Sequence, residues 1–161
     1  LQQAKPVFSV INGKKFFEKF ETENSLAIQQ HDNQINLTLD SPTIFADHNL
    51  FRRILDNLVS NAIAHGSKGR AIDIRFYQRE KMQILDFANY GQKIAAEQRH
   101  ALFQPFNRGE GIRNDRVAGS GLGLSIVADC ARIMFGTAEI IEVDYADVCI
   151  RVTIPTKEAI I

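Results

Sequence analysis

The sequence contains no tryptophan, two cysteines and four prolines among its 161 residues. Two cysteines cannot form a disulfide framework or a zinc site of clustered ligands, so we expect Cys130 and Cys149 to be small buried thiols. No apolar run approaches the ~18 residues that span a bilayer, and residues 1–6 lack the apolar region of a signal peptide. We therefore expect a reducing, cytoplasmic location and no direct insertion of this chain into a membrane.

Net charge is also lacking, because 19 Lys and Arg residues balance 19 Asp and Glu residues. A domain held on nucleic acid by neutralising phosphates is normally basic, so we expect no nucleic-acid partner. The hydrophobic fraction of 45% is that of a folded protein rather than a disordered one. The length corresponds to a single domain.

Hydrophobic periodicity predicts a mixture of helices and hairpin-linked strands, which favours a sheet covered by helices on one side. We expect Asp47 to cap a helix that ends near Gly66, and Gly136 to end the last helix in the left-handed conformation. The predicted strands are 8–10, 35–39, 43–46, 72–76, 84–87, 139–143 and 148–154, and the predicted helices are 14–30, 48–65, 95–102 and 122–135.

Four polar residues recur every fourth position along the helix predicted after Asp47: Arg53, Asn57, Asn61 and His65. Residues four apart lie on one helix face. Asparagine is a mediocre helix former, and such local conflicts occur at functional sites. A carboxamide oxygen suits Mg²⁺ beside phosphates, although a solvated face or a bent helix would account for the same pattern.

A glycine-rich segment, Gly119 to Gly123, precedes the last predicted helix. Glycines allow backbone amides to approach an anion, and a helix N-terminus adds a partial positive charge, so this segment could hold phosphate. It is neither the P-loop nor the dinucleotide-binding fingerprint, whose spacings differ. A flexible hinge is the alternative interpretation.

Two further segments carry polar or aromatic groups next to glycine. Leu85 to Gly91 is a strand end that enters a turn. Leu102 to Gly109 contains Phe103, Phe106 and Arg108; the aromatic pair could simply be core, whereas the guanidinium could neutralise a polyphosphate.

Taken in order, these four segments resemble the ATP-binding catalytic domain of sensor histidine kinases, within the GHKL ATPase superfamily. The resemblance implies an α/β (α+β) fold: a two-layer sandwich of a mixed β-sheet on three helices, with an irregular ATP lid. Residues 8–161 would form this domain, and residues 1–7 would end a linker from an upstream dimerisation domain. The matching segments are Asp56 to Ala62 (N box), Asn89 to Ile94 (G1 box), Leu102 to Gly109 (F box) and Gly119 to Val127 (G2 box).

The same resemblance implies roles for individual residues. Asn61 would bind the Mg²⁺ that bridges the ATP phosphates, and Asn57 would lie beside the γ-phosphate, so both are candidate catalytic residues. Asn89 would face the adenine amino group. The other implied ATP-binding residues are Gly91, Ile94, Phe106, Arg108, Gly119, Gly121, Leu122, Gly123 and Leu124.

The implied reaction is transfer of the ATP γ-phosphoryl group to a histidine on a dimerisation domain of the same or a partner chain, with a response regulator downstream. Hydrolysing relatives such as gyrase carry glutamate at the position of Asn57. An amide cannot accept a proton, so transfer is favoured over hydrolysis. Asp56 is adjacent but points about 100° away around the helix.

Three positions depart from the family pattern. Asn89 stands where aspartate is usual, which would weaken the hydrogen bond to adenine by about 1 kcal/mol. Lys93 replaces a glycine and could either crowd the base or reach phosphate, and Ala64 replaces a basic residue. His65 could stack on the base or pack as a neutral group. These departures leave an alternative: a degenerate, non-catalytic module that binds partner proteins and little or no nucleotide.

Overall fold

The computed structural model describes residues 5–104 and 115–160, with the backbone alone for residues 115–122. Strands and helices alternate along the chain in the way the hydrophobic pattern predicts. The strands are β1 (Phe8–Asn12), β2 (Gln34–Leu39), β3 (Thr43–Asp47), β4 (Ala71–Arg79), β5 (Met82–Asn89), β6 (Thr137–Ile141) and β7 (Val148–Pro155). The helices are α1 (Gly13–Glu23), α2 (Ser25–Gln30), α3 (His48–His65), α4 (Ala96–Arg99), α5 (Asp115–Ile133) and α6 (Lys157–Ile160), with a 3₁₀ turn at Ala101–Phe103.

The strands form a five-stranded mixed sheet in the order β2-β4-β5-β7-β6 and a separate antiparallel pair, β1 with β3. In the large sheet β2 and β4 are parallel, and the other neighbours are antiparallel. The predicted hairpin is β4–β5, whose tight turn places Glu80 at φ 56°. Strand β5 is central and buried along most of its length, so its last residue, Asn89, is fixed by strands on both sides.

Helices α1, α3 and α5 cover one face of this sheet and enclose the core with it. Their fully buried side chains include Phe17, Phe20, Phe51 and Leu58, which meet Phe76 of β4 and Phe87 of β5. Each such side chain contributes about 1.5–3 kcal/mol when it leaves water. The predicted two-layer sandwich of a mixed sheet and three helices is therefore confirmed.

The single helix predicted over residues 14–30 is wrong, because the chain forms α1 and α2 with Asn24 between them. The side chain of Asn24 donates to the carbonyl oxygen of Phe20 at 3.0 Å and to Asp56 Oδ1 at 3.1 Å. Asparagine competes with the helical backbone in this way and favours helix ends. The apolar stripe continues through both helices, so periodicity alone does not reveal the break.

Helix α5 begins at Asp115, whereas the sequence predicted a start near Leu122. Glycine is permitted in a helix at a cost of about 1 kcal/mol per residue relative to alanine, so the glycines do not force a boundary. In a helix the amides of Gly121 and Gly123 point to carbonyls four residues earlier. These amides reach an anion only when the first turns of α5 unwind.

Helix α5 ends in a Schellman motif, and the residue in the left-handed conformation is Phe135, with φ 66°. The amide of Gly136 donates to Ala131 at 2.7 Å and that of Phe135 to Arg132 at 2.9 Å. The prediction of left-handed Gly136 is wrong. Glycine is needed there for space, since a Cβ at Gly136 would lie 2.0 Å from the carbonyl oxygen of Thr153.

The outer face of the sheet carries a buried ion pair. Asp86 is 6% exposed and accepts from Arg151 Nε at 2.8 Å and from the hydroxyl of Tyr77 at 3.1 Å. Hydrogen bonding to Asp86 raises the pKa of Arg151 above its usual range. Both cysteines are buried free thiols as predicted, and burial raises the pKa of Cys149 to about 11, so neither is a reactive nucleophile.

Candidate functional site

Helix α3 carries the polar stripe, in which Asn57 and Asn61 are half-buried while Arg53 and His65 are exposed. Its start is fixed by Asp47, whose Oδ1 accepts from the amide of Leu50 at 3.1 Å. Asn57 turns its Nδ2 back to the carbonyl oxygen of Arg53, at 2.8 Å. The amide oxygen of Asn57 then faces α5, because a methyl group built at Gly123 would lie 3.6 Å from it.

A cavity of about 290 Å³ lies beyond this contact, between the last turns of α3, the end of β5 and helix α5. This volume is close to the lower end of small-molecule pockets. Its lining combines polar and apolar side chains. The lining residues are Asn61, His65, Asn89, Gln92, Lys93, Ile94, Gln98, Leu102, Leu124 and Val148.

Asn89, at the end of β5, lines the cavity and is 7% exposed. Its Nδ2 donates to the carbonyl oxygen of Tyr90 at 3.1 Å. The following turn is held by a bridge between Gly66 and Gly91 and by Asp147, whose carboxylate accepts from the amide of Gly91 at 3.1 Å. The end of β5 is therefore fixed both to the end of α3 and to the start of β7.

The cavity holds no carboxylate among its described lining residues. The nearby Asp56 points to the opposite side of α3, where it accepts from Arg52 Nε at 2.9 Å and from Asn24. His65 lines the cavity, and partial burial lowers the pKa of its imidazole, which favours the neutral ring. Lys93 is exposed at the rim and leaves the cavity open.

The structure brings together most of the predicted site residues that it describes. Asn61, Asn89, Ile94 and Leu124 line the cavity, and Asn57 faces Gly123 beside it. Gly91 lies behind Asn89 in the bridge with Gly66. Of the others, Gly119, Gly121 and Leu122 lie in α5, where the backbone alone is described, and Phe106 and Arg108 lie outside the described residues.

Sequence reasoning did not assign Gln92, Gln98 or Val148 to this site. Val148 reaches it because β7 pairs with β5 in a register that sets Val148 opposite Asn89. Strand pairing over that separation is not visible in local periodicity. Gln92 lies within the G1 box and Gln98 shortly after it, so the G1 box and the segment that follows it were the features that could have found them.

The described residues contain no cluster of three or more His, Cys, Asp or Glu side chains able to hold a metal on their own. Asn61 offers a carboxamide oxygen on the cavity wall. Magnesium commonly binds through one or two protein oxygens, with substrate phosphates and water completing its shell. The residues present therefore fit a magnesium ion that arrives with a polyphosphate.

Comparison with known proteins agrees with this geometry. The family described as "Histidine kinase-, DNA gyrase B-, and HSP90-like ATPase" matches residues 46–158, which include α3, the cavity and α5. The chain belongs to this family. Within it, the chain corresponds to the ATPase domain of sensor histidine kinases, because it is 33% identical over 88% of its length to the Sensor histidine kinase GlrK of Escherichia coli K12. It is also 32% identical over 73% of its length to the E. coli kinase BaeS.

The chain spans about 30% of the length of GlrK and 25% of that of BaeS. Solved structures share its fold. The Acinetobacter baumannii histidine kinase AdeS superposes with a TM-score of 0.78 at 22% identity, covering 97% of this chain and 71% of that one. ShkA, solved in complex with AMPPNP, gives 0.78 at 20% identity over 94% of this chain and 32% of that one. No helix in the described part of the chain is long and apolar enough to cross a membrane.

Proposed function

We propose that this domain binds Mg²⁺–ATP in the 290 Å³ cavity and transfers the γ-phosphoryl group to a histidine of a dimerisation domain. The observation that carries the proposal is the meeting of α3 with α5: the amide oxygen of Asn57 faces Gly123, and Asn61 and Leu124 line the same cavity. This places two carboxamides beside the segment that the resemblance assigns to phosphate.

The apolar and polar side chains that line the cavity suit the base and the triphosphate of a nucleotide respectively. The base fits between the apolar side chains of Ile94, Leu102 and Leu124, with its amino group toward Asn89. The triphosphate then extends along α3, past Asn61, toward Asn57. The resemblance assigns the remaining phosphate and lid contacts to Gly91, Phe106, Arg108, Gly119, Gly121, Leu122 and Gly123.

Binding of phosphate by the amides of Gly121 and Gly123 requires that the first turns of α5 unwind. The three glycines at positions 119, 121 and 123 lower the free energy needed to unwind these turns, because each weakens a helix by about 1 kcal/mol relative to alanine. Ligand binding can then replace the intrahelical hydrogen bonds with charge-assisted ones.

Asn61 would hold the magnesium ion together with the phosphates, and the ion would supply positive charge against the charge that develops on the transferring group. The residues of this chain do the positioning: Asn89 orients the base, Asn61 holds the metal, and Asn57 lies beside the γ-phosphate. Phosphoryl transfer needs little covalent chemistry from the protein, so such positioning carries most of the catalysis.

Transfer rather than hydrolysis is supported by the absence of a carboxylate among the described lining residues. An amide at position 57 cannot accept the proton of an attacking water. The carboxylate of Asp56 is engaged by Arg52 and Asn24 on the far side of α3. No described feature favours the degenerate alternative, since Lys93 does not fill the cavity.

The proposed partners are a phosphoacceptor domain, in the same polypeptide or in a partner chain, and a response regulator that receives the phosphoryl group. This arrangement assigns the domain to the cytoplasm, where ATP is available.

Calorimetric titration with Mg²⁺–AMPPNP tests the proposal, together with release of phosphate from ATP by the chain alone. We expect saturable binding and phosphate release close to background, because no acceptor histidine domain is supplied. Absence of binding at millimolar nucleotide, or rapid multiple-turnover hydrolysis, would contradict it.

A further inference from the structure

The part of the cavity lining that follows β5 is an irregular segment, residues 91–94, which we call the wall segment. Apart from the bridge at Gly91 it has no helix or strand of its own, and Gln92, Lys93 and Ile94 line the cavity. A segment outside helices and sheets is held by contacts with neighbouring elements rather than by a hydrogen-bond ladder. The elements that contact the wall segment therefore determine the shape of this side of the site.

The connection between β6 and β7, residues 142–147, lies directly behind the wall segment. A gap of about 20 Å³ separates the two, lined by Lys93 and Ile94 on one side and by Val143 and Asp147 on the other. Such a gap has room for about one water molecule. The wall segment thus has the cavity in front of it and the β6–β7 connection behind it.

Asp147 holds the start of the wall segment. Its carboxylate accepts from the amide of Gly91 at 3.1 Å, and its own backbone amide donates to the carbonyl oxygen of Asn89 at 3.2 Å. A hydrogen bond to an ionised acceptor is roughly twice as strong as one between neutral groups. The carboxylate is therefore a strong constraint on the turn that leaves β5.

The other end of the wall segment is held more weakly, through Arg99. The Nε of Arg99 donates to the carbonyl oxygen of Ile94 at 3.2 Å, and its guanidinium pairs with Glu142 at 3.7 Å. Because the Glu142 side chain is 79% exposed, this ion pair contributes little. Asp147 is therefore the stronger of the two supports that the β6–β7 connection gives.

The β6–β7 connection is itself fixed to the sheet. Ala146 is buried and packs with Ala88 and Cys149. Asp147 follows it and leads directly into β7, the strand that pairs with β5. The carboxylate of Asp147 therefore reaches the turn from a fixed position.

We propose that Asp147 is a positioning residue of the nucleotide site, and that its hold on Gly91 sets the wall segment for binding. The inference rests on the proposed function and adds a residue outside the four segments that resemble the family. Asp147 is not among the described residues that line the cavity, so it acts through Gly91. Without this hold the turn populates other conformations, and the apparent affinity falls with the fraction that is competent to bind.

The test compares Asp147→Ala, which removes the acceptor, with Asp147→Asn, whose amide oxygen can still accept from Gly91. Asp144→Ala, an exposed change in the same connection, is the control. Calorimetry measures binding of Mg²⁺–AMPPNP. Hydrogen exchange in the nucleotide-free chains compares the protection of residues 89–94 with that of α1.

We expect Asp147→Ala to bind Mg²⁺–AMPPNP at least about 5-fold more weakly than the unmodified chain, as when about a fifth of the molecules hold the competent turn. Asp147→Asn and Asp144→Ala should bind within about 2-fold of the unmodified chain. In Asp147→Ala, exchange should become faster in residues 89–94 and stay unchanged in α1. A general loss of stability would instead raise exchange throughout the fold.

If Asp147→Ala does not fold, Asp147→Ser takes its place with the same expectations. The serine hydroxyl ends one bond short of the carboxylate oxygens, too far from Gly91 to accept its hydrogen bond. Failure of both variants to fold would show a structural role and overturn the inference.

Unchanged affinity in the folded variant would also overturn the inference, as would an equal loss in Asp147→Asn or faster exchange in α1. Failure of the unmodified chain to bind at millimolar Mg²⁺–AMPPNP would instead contradict the proposed function. The exchange comparison would then still decide whether Asp147 holds the turn.

Discussion

We expect the substitution Asn89→Asp to lower the free energy of unfolding while it raises the affinity for an adenine nucleotide. In the unmodified protein the amide nitrogen donates to the Tyr90 carbonyl at 3.1 Å, and the side chain is 7% exposed. A carboxylate would put an oxygen in that place, losing a hydrogen bond of about 0.5–1.5 kcal/mol and adding the cost of an unpaired buried acceptor. We expect the free energy of unfolding to fall by about 2 kcal/mol at pH 7.

The pH dependence of this loss identifies its cause. Burial beside a carbonyl raises the pKa of the new carboxyl group in the folded state. Below the pKa of the unfolded chain both states are protonated, and the acid can donate to Tyr90, so the loss disappears. As the pH rises above the unfolded-state pKa, the carboxyl group ionises first in the unfolded chain, and the loss of unfolding free energy grows. The penalty should thus be present at pH 7 and nearly absent at pH 4.

Urea unfolding of both proteins at pH 4 and pH 7 measures the difference, with the exposed substitution Asn49→Asp as a control for added charge. The charged acceptor should also bind the adenine amino group about five-fold more tightly, since it makes a hydrogen bond stronger by about 1 kcal/mol. Equal stability of Asn89→Asp and the unmodified chain at pH 7 would refute the reasoning, because the amide would then not be held by Tyr90.

Three further predictions concern other parts of the molecule. Asp86→Ala should lower the free energy of unfolding by about 2–3 kcal/mol in a urea melt, because it leaves the part-buried guanidinium of Arg151 without its carboxylate partner. A loss below about 0.5 kcal/mol, which is typical of surface substitutions, would contradict this prediction. Gly136→Ala should cost about 2–3 kcal/mol, since its Cβ would meet Thr153 at 2.0 Å, and an unchanged melting temperature would show that the turn adapts. Burial lowers the pKa of His65 below 6.5 in the folded state, so the free energy of unfolding should fall as the pH drops from 6.5 to the folded-state pKa. Bound ADP should raise the folded-state pKa of His65 in an NMR titration, because its phosphates favour the charged ring. No shift of this pKa with ADP would exclude His65 from the nucleotide site.

The sequence predicted the fold class and the parts of the site that depend on local patterns. Asn57, Asn61 and Asp47 follow from helical periodicity and capping: the structure places both asparagines on α3 and Asp47 at its N-cap. Asn89 and Ile94 follow from the motif that joins β5 to its turn.

The sequence fails to predict features that depend on tertiary contacts rather than on local preference. The break at Asn24 depends on a hydrogen bond to Asp56, which is distant in sequence. Phe135 adopts the left-handed conformation because Gly136 is needed where the chain passes Thr153. The orientation of the Asn89 amide depends on Ser67 and Gly66 at the end of another helix, and no sequence pattern reports it.

The central claim is that Asn61 holds magnesium against the phosphates of a nucleotide in the cavity beside Gly123. The direct measurement is calorimetric titration with AMPPNP, in Mg²⁺ and in excess EDTA, on the unmodified chain, on Asn61→Ala and on the exposed control Asn49→Ala. We expect Mg²⁺ to tighten binding at least about 10-fold for the unmodified chain and for Asn49→Ala, equivalent to about 1.4 kcal/mol, and to have little effect on Asn61→Ala. An equal response of all three proteins to Mg²⁺ would contradict it.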